Sequence, residues 1–317
     1  MVHPSLPAGG TFIGRGFSLA RSGALCKAGS RDPLAVIPLL PTPVGELTDP
    51  ANKGLFMSSS DHNLEAKFVE QVADALQGLP GVEGVALGGS RAQGTNRPDS
   101  DWDFAVYYRE GFDPEAVREL GWPGQLTDLG GWGRIFNGGA LTVDEHSIDI
   151  HYRDLGLIDE VHDNARRGDF TIEPLLFHQA GLPSYILLAE LGINKTLRGH
   201  LPQWDYPEGL RESAPGIWWL NGNLTLHYAK EGHARHGRTA QCAGLLSEAA
   251  CHTAHAILAH RGEWITNEKQ LLSKAGLRRI DDVVGQLGTE PASLLQAVSK
   301  AHDLLLGAVR DEGITSG

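Results

Sequence analysis

The hydrophobic pattern of the chain changes once, from short strand-like segments to long helical stripes. Segments rich in β-branched and aromatic residues predict strands over residues 82–87, 102–108 and 146–152. Beyond about Asp154 the apolar residues follow helical spacing. Three such stripes are Ile217, Leu220, Leu224 and Tyr228; Leu246, Ala250, Ala254 and Leu258; and Leu294, Val298, Ala301, Leu305 and Ala308. The sequence therefore predicts an α/β fold, in which a mixed-sheet domain is followed by an all-α helical bundle domain.

The length of 317 residues predicts more than one domain. Residues 1–56 combine Gly, Pro, Ser and Arg and end in a Pro-rich stretch, which predicts a disordered N-terminal extension. Met57 is one of only two methionines and precedes the first well-formed helix, so we hypothesise that it is the natural start. We assign residues 57–160 to the mixed-sheet domain and residues 161–317 to the helical accessory or substrate domain.

Composition argues against several classes of protein. The formal net charge is −12, which makes nucleic acid an unlikely partner because non-specific binding of phosphates depends on Lys and Arg. Since the chain contains no run of about 18 apolar residues, we expect no membrane span. The three cysteines (Cys26, Cys242 and Cys251) form no paired framework, and a reducing cytoplasm fits them best.

A glycine-rich turn follows the first predicted strand. Gly88, Gly89 and Ser90 come directly after residues 82–87. Glycine lets a backbone approach a phosphate closely, and amide groups at a strand-to-helix turn point at bound anions. We therefore expect Gly89 and Ser90 to bind the phosphates of a nucleotide.

Three aspartates carry the expected chemistry. Asp101 and Asp103 begin the second predicted strand, where alternation places both on one face and Trp102 on the other. Two adjacent carboxylates repel each other unless a cation lies between them, and Mg²⁺ prefers such oxygen ligands. Asp149 lies between Ile148 and Ile150 in the middle of the third predicted strand. If that strand lies beside the second, Asp149 completes a three-acid cluster suited to two metal ions.

These motifs resemble the signature of the nucleotidyltransferase superfamily, which includes DNA polymerase beta and the aminoglycoside adenylyltransferases. The resemblance rests on Gly88–Ser90, on Asp101–Asp103 and on the later Asp149. The stretches Gly89–Thr95 and Asp99–Asp103 are especially similar to the small bacterial members. The resemblance covers roughly residues 64–153.

The resemblance implies a mixed sheet with flanking helices and a catalytic triad formed by Asp101, Asp103 and Asp149. It also implies that two Mg²⁺ ions and ATP or another nucleoside triphosphate bind here, with Ser90 and neighbouring amides holding the triphosphate. The expected reaction transfers a nucleoside monophosphate, AMP from ATP in our leading hypothesis, to a hydroxyl group of a small-molecule acceptor. An aminoglycoside-like antibiotic is one candidate acceptor. The alternatives are a protein or transfer RNA acceptor, and a nucleotide-binding protein without turnover.

The second half of the chain offers weaker signals. Lys269 follows Asn267, a good helix cap, and lies in the first turn of a predicted short helix, where the helix dipole disfavours a cation. We predict that Lys269 reaches a phosphate of the nucleotide; a solvated surface lysine is the alternative. Cys251, His252 and His255 are close in sequence but lack the paired cysteines of a zinc site, so we expect them to pack between helices.

Overall fold

A computed structural model describes residues 59–97 and 100–314. The predicted extension over residues 1–56 and the proposed start at Met57 lie outside the described residues. The strands are β1 (Val82–Leu87), β2 (Trp102–Tyr108), β3 (Gly124–Leu126), β4 (Gly138–Val143), β5 (His146–Asp154), β6 (Ile172–Leu175), β7 (His178–Pro183) and β8 (Lys195–Gly199). The helices are α1 (Ser59–Gln77), α2 (Gly89–Ala92), α3 (Pro114–Arg118), α4 (Leu155–Arg166), α5 (Ile186–Ile193), α6 (Glu208–Tyr228), α7 (Thr239–Arg261), α8 (Leu271–Lys274), α9 (Ile280–Gly285) and α10 (Pro291–Asp311).

Six strands form one mixed sheet in the order β3-β4-β5-β2-β1-β8. Strands β2 and β5 are parallel at its centre, and the other neighbours are antiparallel. The hairpin of β6 and β7 forms a separate two-stranded sheet. The predicted fold class is confirmed, since a mixed sheet with flanking helices is followed by a helical C-terminal part.

The two faces of the sheet belong to different hydrophobic clusters. Phe104 and Ile148 pack with α1 on one face. Ala105 and Tyr107 pack on the opposite face with the helices of the second half. Because side chains alternate along a strand, odd-numbered residues of β2 and β5 face the second half of the chain. This parity fixes the direction in which Asp103 and Asp149 point.

Three strands lie where only helices were predicted. Our expectation of uninterrupted helical spacing beyond Asp154 is wrong for β6, β7 and β8. Strand β8 reads Lys-Thr-Leu-Arg-Gly and lies at the edge of the main sheet, where polar side chains are common and no apolar alternation marks a strand. The boundary proposed at residue 160 stays a prediction, because the sheet itself extends to residue 199.

Helices α6 and α7 form the centre of the helical part. The predicted stripes of α7 and α10 are buried, except that Ala308 is half-buried. The stripe predicted for α6 is exposed, because that helix buries a different face containing Trp218, Gly222 and Leu226. None of the described helices is long and apolar enough to span a membrane.

The turn between β6 and β7 contains a strained aromatic residue. Leu175 pairs with His178, so Leu176 and Phe177 form the whole turn, and Phe177 has φ +72°. The left-handed conformation costs a residue with a side chain about 1–2 kcal/mol. Glycine avoids this cost, but it also raises the conformational entropy of the unfolded chain, which offsets part of the gain. We expect Phe177→Gly to raise the free energy of unfolding by up to about 1 kcal/mol in urea denaturation. Leu176→Gly is the matched control, because that residue is also exposed but lacks a positive φ, and it should give no gain.

Candidate active site

A cavity of about 650 Å³ opens on the odd-numbered face of β2 and β5. The sheet, the turn after β1, α5 and the segment before α8 surround it. All the residues predicted for the site line this one cavity: Asp101, Asp103, Asp149, Gly89, Ser90 and Lys269. The predicted residues are therefore brought together from four separate parts of the chain.

The parallel pairing of β2 with β5 places two of the aspartates side by side. Asp103 is the direct partner of Asp149 in the register. Neighbouring strands lie roughly 4.8 Å apart, and paired residues point to the same face. Asp101 lies one residue before β2, shares the parity of Asp103 and is exposed.

The carboxylates of the site repel one another in a partly desolvated environment. Burial, followed by the charge of Asp149, raises the pKa of Asp103 from 3.8 to about 6. Burial and the charge of Asp101 also raise the pKa of Asp149. The cation of Lys269 opposes both shifts. The site therefore concentrates negative charge that a cation would stabilise.

The glycine turn packs directly on Asp103. The backbone N–H of Gly88 donates a hydrogen bond to the carbonyl oxygen of Asp103, with an N–O distance of 2.7 Å. Gly89 has φ +62°, and a Cβ atom on it would collide with Oδ2 of Asp103. The carboxylate of Asp103 therefore requires glycine at position 89. The sequence argument, in which glycine lets the backbone approach a phosphate, did not include this reason.

Metal binding requires the carboxylates to converge. Among the residues that the structure describes, no three His, Cys, Asp or Glu side chains are close enough to hold a metal ion together. The carboxylate pair of Asp103 and Asp149 has the hard oxygen donors and the excess charge that suit a divalent cation. Their assignment as Mg²⁺ ligands, together with Asp101, stays a prediction.

Comparison with known families agrees with this geometry. Residues 69–133 match the model of the nucleotidyltransferase domain. The chain carries a nucleotidyltransferase domain. The match contains the glycine turn, Asp101 and Asp103, and it ends before Asp149. No significant match was found among curated proteins.

A buried ion pair outside the matched part of the nucleotidyltransferase domain also borders the cavity. Arg153 lies four residues after Asp149, on the same face of β5, and only 1% of its side chain is exposed. Its guanidinium donates two hydrogen bonds to Glu190 of α5, from Nη2 to Oε1 at 2.6 Å and from Nε to Oε2. Glu190 lines the cavity and contributes to the raised pKa of Asp103. Sequence analysis missed this pair, although strand alternation places Arg153 on the same face as Asp149 and could have drawn attention to it.

Lys269 lines the same cavity and comes from the second half of the chain. The helix expected to contain it begins two residues later, at Leu271, so Lys269 lies in the preceding turn. Asn267 accepts a hydrogen bond from the backbone N–H of Lys269 at 3.0 Å, much as expected of a cap. Arg97 and Lys274 are further cations on the cavity wall.

The histidines considered for zinc lie in helix packing. His255 of α7 is buried and stacks on Trp218 of α6, with ring centroids 4.4 Å apart. His252 lies 5.5 Å from the same ring. Burial lowers the pKa of His255 to about 3 and that of His252 to about 4, so both imidazoles are neutral near pH 7.

Proposed function

We propose that the protein transfers a nucleoside monophosphate, AMP from ATP in the first instance, to a hydroxyl group of a small-molecule acceptor. The observation that carries the proposal is the direct pairing of Asp103 with Asp149, beneath a glycine turn and within one cavity. The nucleotidyltransferase domain supplies the general class of reaction. The nucleotide, the acceptor and the metal are parts of the proposal.

Each proposed role follows from position and charge. The pair of Asp103 and Asp149 would hold Mg²⁺, and Asp101 is proposed to join them as a third ligand once the cation is bound. The ion would neutralise charge on the triphosphate. Ser90 and the amides of the glycine turn would position the β- and γ-phosphates. Asp149, whose pKa is raised, is suited to accept the proton of the acceptor hydroxyl. Catalysis in this scheme is positioning and charge stabilisation, without a covalent enzyme intermediate.

The wall of the cavity beyond the aspartates narrows the acceptor class. Phe136, Leu182, Ile186 and Ile265 form an apolar surface. Among the described lining residues, Glu190 is the one carboxylate besides the three aspartates, and both of its oxygens accept from Arg153. A hydroxylated acceptor with an apolar face fits this wall better than a polycationic aminoglycoside, which requires several available carboxylates.

A pyrophosphate-release assay tests the proposal. The protein is incubated with Mg²⁺ and each of the four nucleoside triphosphates, against a panel of hydroxylated small molecules, aminoglycosides and cell extract. We expect acceptor-dependent release that Asp101→Asn abolishes. Asp303→Asn is the matched control, because Asp303 is exposed on α10 and should retain activity. Magnesium-dependent binding of ATP with no release under any condition would instead favour a nucleotide-binding protein without turnover.

The proposed contact between Lys269 and a phosphate can be tested separately, by nucleotide binding without an acceptor. We expect Lys269→Ala to weaken binding of Mg²⁺–ATP about tenfold, because a charge-assisted hydrogen bond to a phosphate is lost. Binding of adenosine should be unaffected, since it lacks phosphates. Titration calorimetry measures both ligands, and Lys300→Ala, an exposed lysine of α10, serves as the control. Equal affinity of wild type and Lys269→Ala for Mg²⁺–ATP would place Lys269 outside the phosphate site.

A further inference from the structure

Helix α6 carries apolar side chains on two opposite faces. The face that contains Trp218, Gly222 and Leu226 is buried. Successive residues of a helix are separated by about 100°, which puts a second apolar set on the other side. This set, the outer stripe, consists of Ile217, Leu220, Leu224 and Tyr228, with exposed fractions of 42%, 54%, 56% and 58%. A helix of a monomeric domain normally presents polar residues there, so the outer stripe calls for a partner surface.

The charge distribution along α6 supports the same conclusion. From Ser213 to Ala229 the sequence contains no Asp, Glu, Lys or Arg. By contrast, the exposed positions of α10 include Lys300 and Asp303. Depletion of charged residues around a central apolar patch, with charges at its ends, distinguishes interface cores from ordinary surface.

The side chain of Tyr228 is ordered by its neighbours. Its ring lies 5.0 Å from the ring of His233 at nearly a right angle, and a Cβ atom on Gly232 would lie 3.0 Å from the Tyr228 ring. More than half of the tyrosine nevertheless stays exposed. An aromatic side chain that is already ordered loses little conformational entropy on binding, and such residues are frequent anchors of interfaces.

We propose that the outer stripe is the interface of a homodimer, in which two copies of α6 pack antiparallel across a twofold axis that crosses the stripe midway between Leu220 and Leu224. This arrangement sets Leu220 against Leu224 of the partner subunit and, by symmetry, Leu224 against Leu220 of the partner subunit. Tyr228 then meets Gly216 of the partner subunit. A Cβ atom on Gly216 would have no neighbour within 4 Å in a single copy, which leaves room for the ring.

Charge complementarity favours a second copy in this orientation over other occupants. The segment before the outer stripe contains Glu208, Arg211 and Glu212, and the segment after it contains Lys230, Glu231 and Arg235. Arg211 pairs with Glu208, and Arg235 pairs with Glu231. Glu212 and Lys230 remain as the acid and the base available to a partner. Antiparallel packing brings the first segment of each copy to the second segment of the other, so that Glu212 of one copy lies near Lys230 of the other at both ends of the interface. Parallel packing would instead bring Glu212 to Glu212 and Lys230 to Lys230.

Sedimentation velocity of the full chain over a concentration series tests the proposal. We expect a species of twice the monomer mass of 34.1 kDa, with a dissociation constant in the micromolar range. Leu220→Asp should raise that constant at least about 100-fold, because it buries a charge on each side of the axis. Leu64→Asp is the matched control: Leu64 is an exposed leucine of α1, 64% exposed, and its replacement should leave the dimer intact.

Several results would overturn the dimer. They are a wild-type protein that stays monomeric at about 100 μM, a dimer that Leu220→Asp leaves unchanged, and a dimer that only Leu64→Asp dissociates. If Leu220→Asp does not fold, the milder double variant Leu220→Gln with Leu224→Gln decides in its place by the same measurement. A wild-type monomer would indicate that a different molecule or another segment of this chain covers the outer stripe.

Discussion

Replacing Asp103 by asparagine is expected to abolish nucleotidyl transfer and to make the metal-free protein harder to unfold. Transfer should fall at least about 10³-fold, because the carboxylate that is proposed to hold the metal and the triphosphate is lost at the centre of the site. Initial rates of pyrophosphate release measure this effect, with Asp303→Asn as the isosteric control at an exposed site. A folded Asp103→Asn protein with wild-type turnover would contradict the proposed role.

The gain in stability follows from the pKa of Asp103. The folded protein raises this pKa from 3.8 to about 6, so at pH 7 the buried charge opposes folding by up to about 3 kcal/mol. This destabilisation is complete above the folded pKa and disappears as the pH falls from 6 towards 4. Asp103→Asn should therefore raise the free energy of unfolding most at pH 7–8 and least below pH 4. Urea denaturation in a metal chelator measures the pH series, and a gain that grows on acidification would contradict this account.

Breaking the buried pair of Arg153 and Glu190 should have the largest effect on stability. Glu190→Gln keeps the shape of the side chain but leaves the fully buried guanidinium without an opposite charge. Removing one partner of a buried pair typically costs about 3–5 kcal/mol. We expect a loss in this range in urea denaturation at pH 7.

Two controls separate this effect from the loss of an ordinary ion pair. Glu231→Gln removes the charge from an exposed pair with Arg235, whose Nε–Oε2 distance is 2.7 Å, and should cost less than about 1 kcal/mol. The double variant Arg153→Met with Glu190→Leu removes both charges and should recover much of the stability. A double variant as unstable as Glu190→Gln would show that altered packing, and not the unpaired charge, causes the loss of stability.

Strand alternation allowed most of the candidate site to be predicted. The parity of Asp101, Asp103 and Asp149 against their apolar neighbours fixed the face of each aspartate, because period-2 alternation is a local property of the chain. The adjacency of the two strands was an assumption, since pairing depends on contacts between distant segments. The structure shows β2 and β5 as direct parallel neighbours, with Asp103 opposite Asp149.

The features that sequence analysis missed depend on tertiary contacts. An isolated periodicity cannot say which stripe of a helix faces a neighbour, and α6 has apolar residues on both sides. Arg153 could be placed on a face, but its partner Glu190 follows 37 residues later on another element. Strand β8 has no apolar alternation and is ordered by its neighbour β1.

The position of β8 also sets the order in which this protein can mature during synthesis. Its partner β1 precedes it by more than a hundred residues, so the ribosome releases the first five strands of the main sheet long before the sixth. Until residue 199 has emerged, β1 presents an open edge. Until Glu190 has emerged, the guanidinium of Arg153 lacks its ion-pair partner. A chain truncated between residues 154 and 190 would therefore be prone to aggregation, because it lacks both β8 and Glu190.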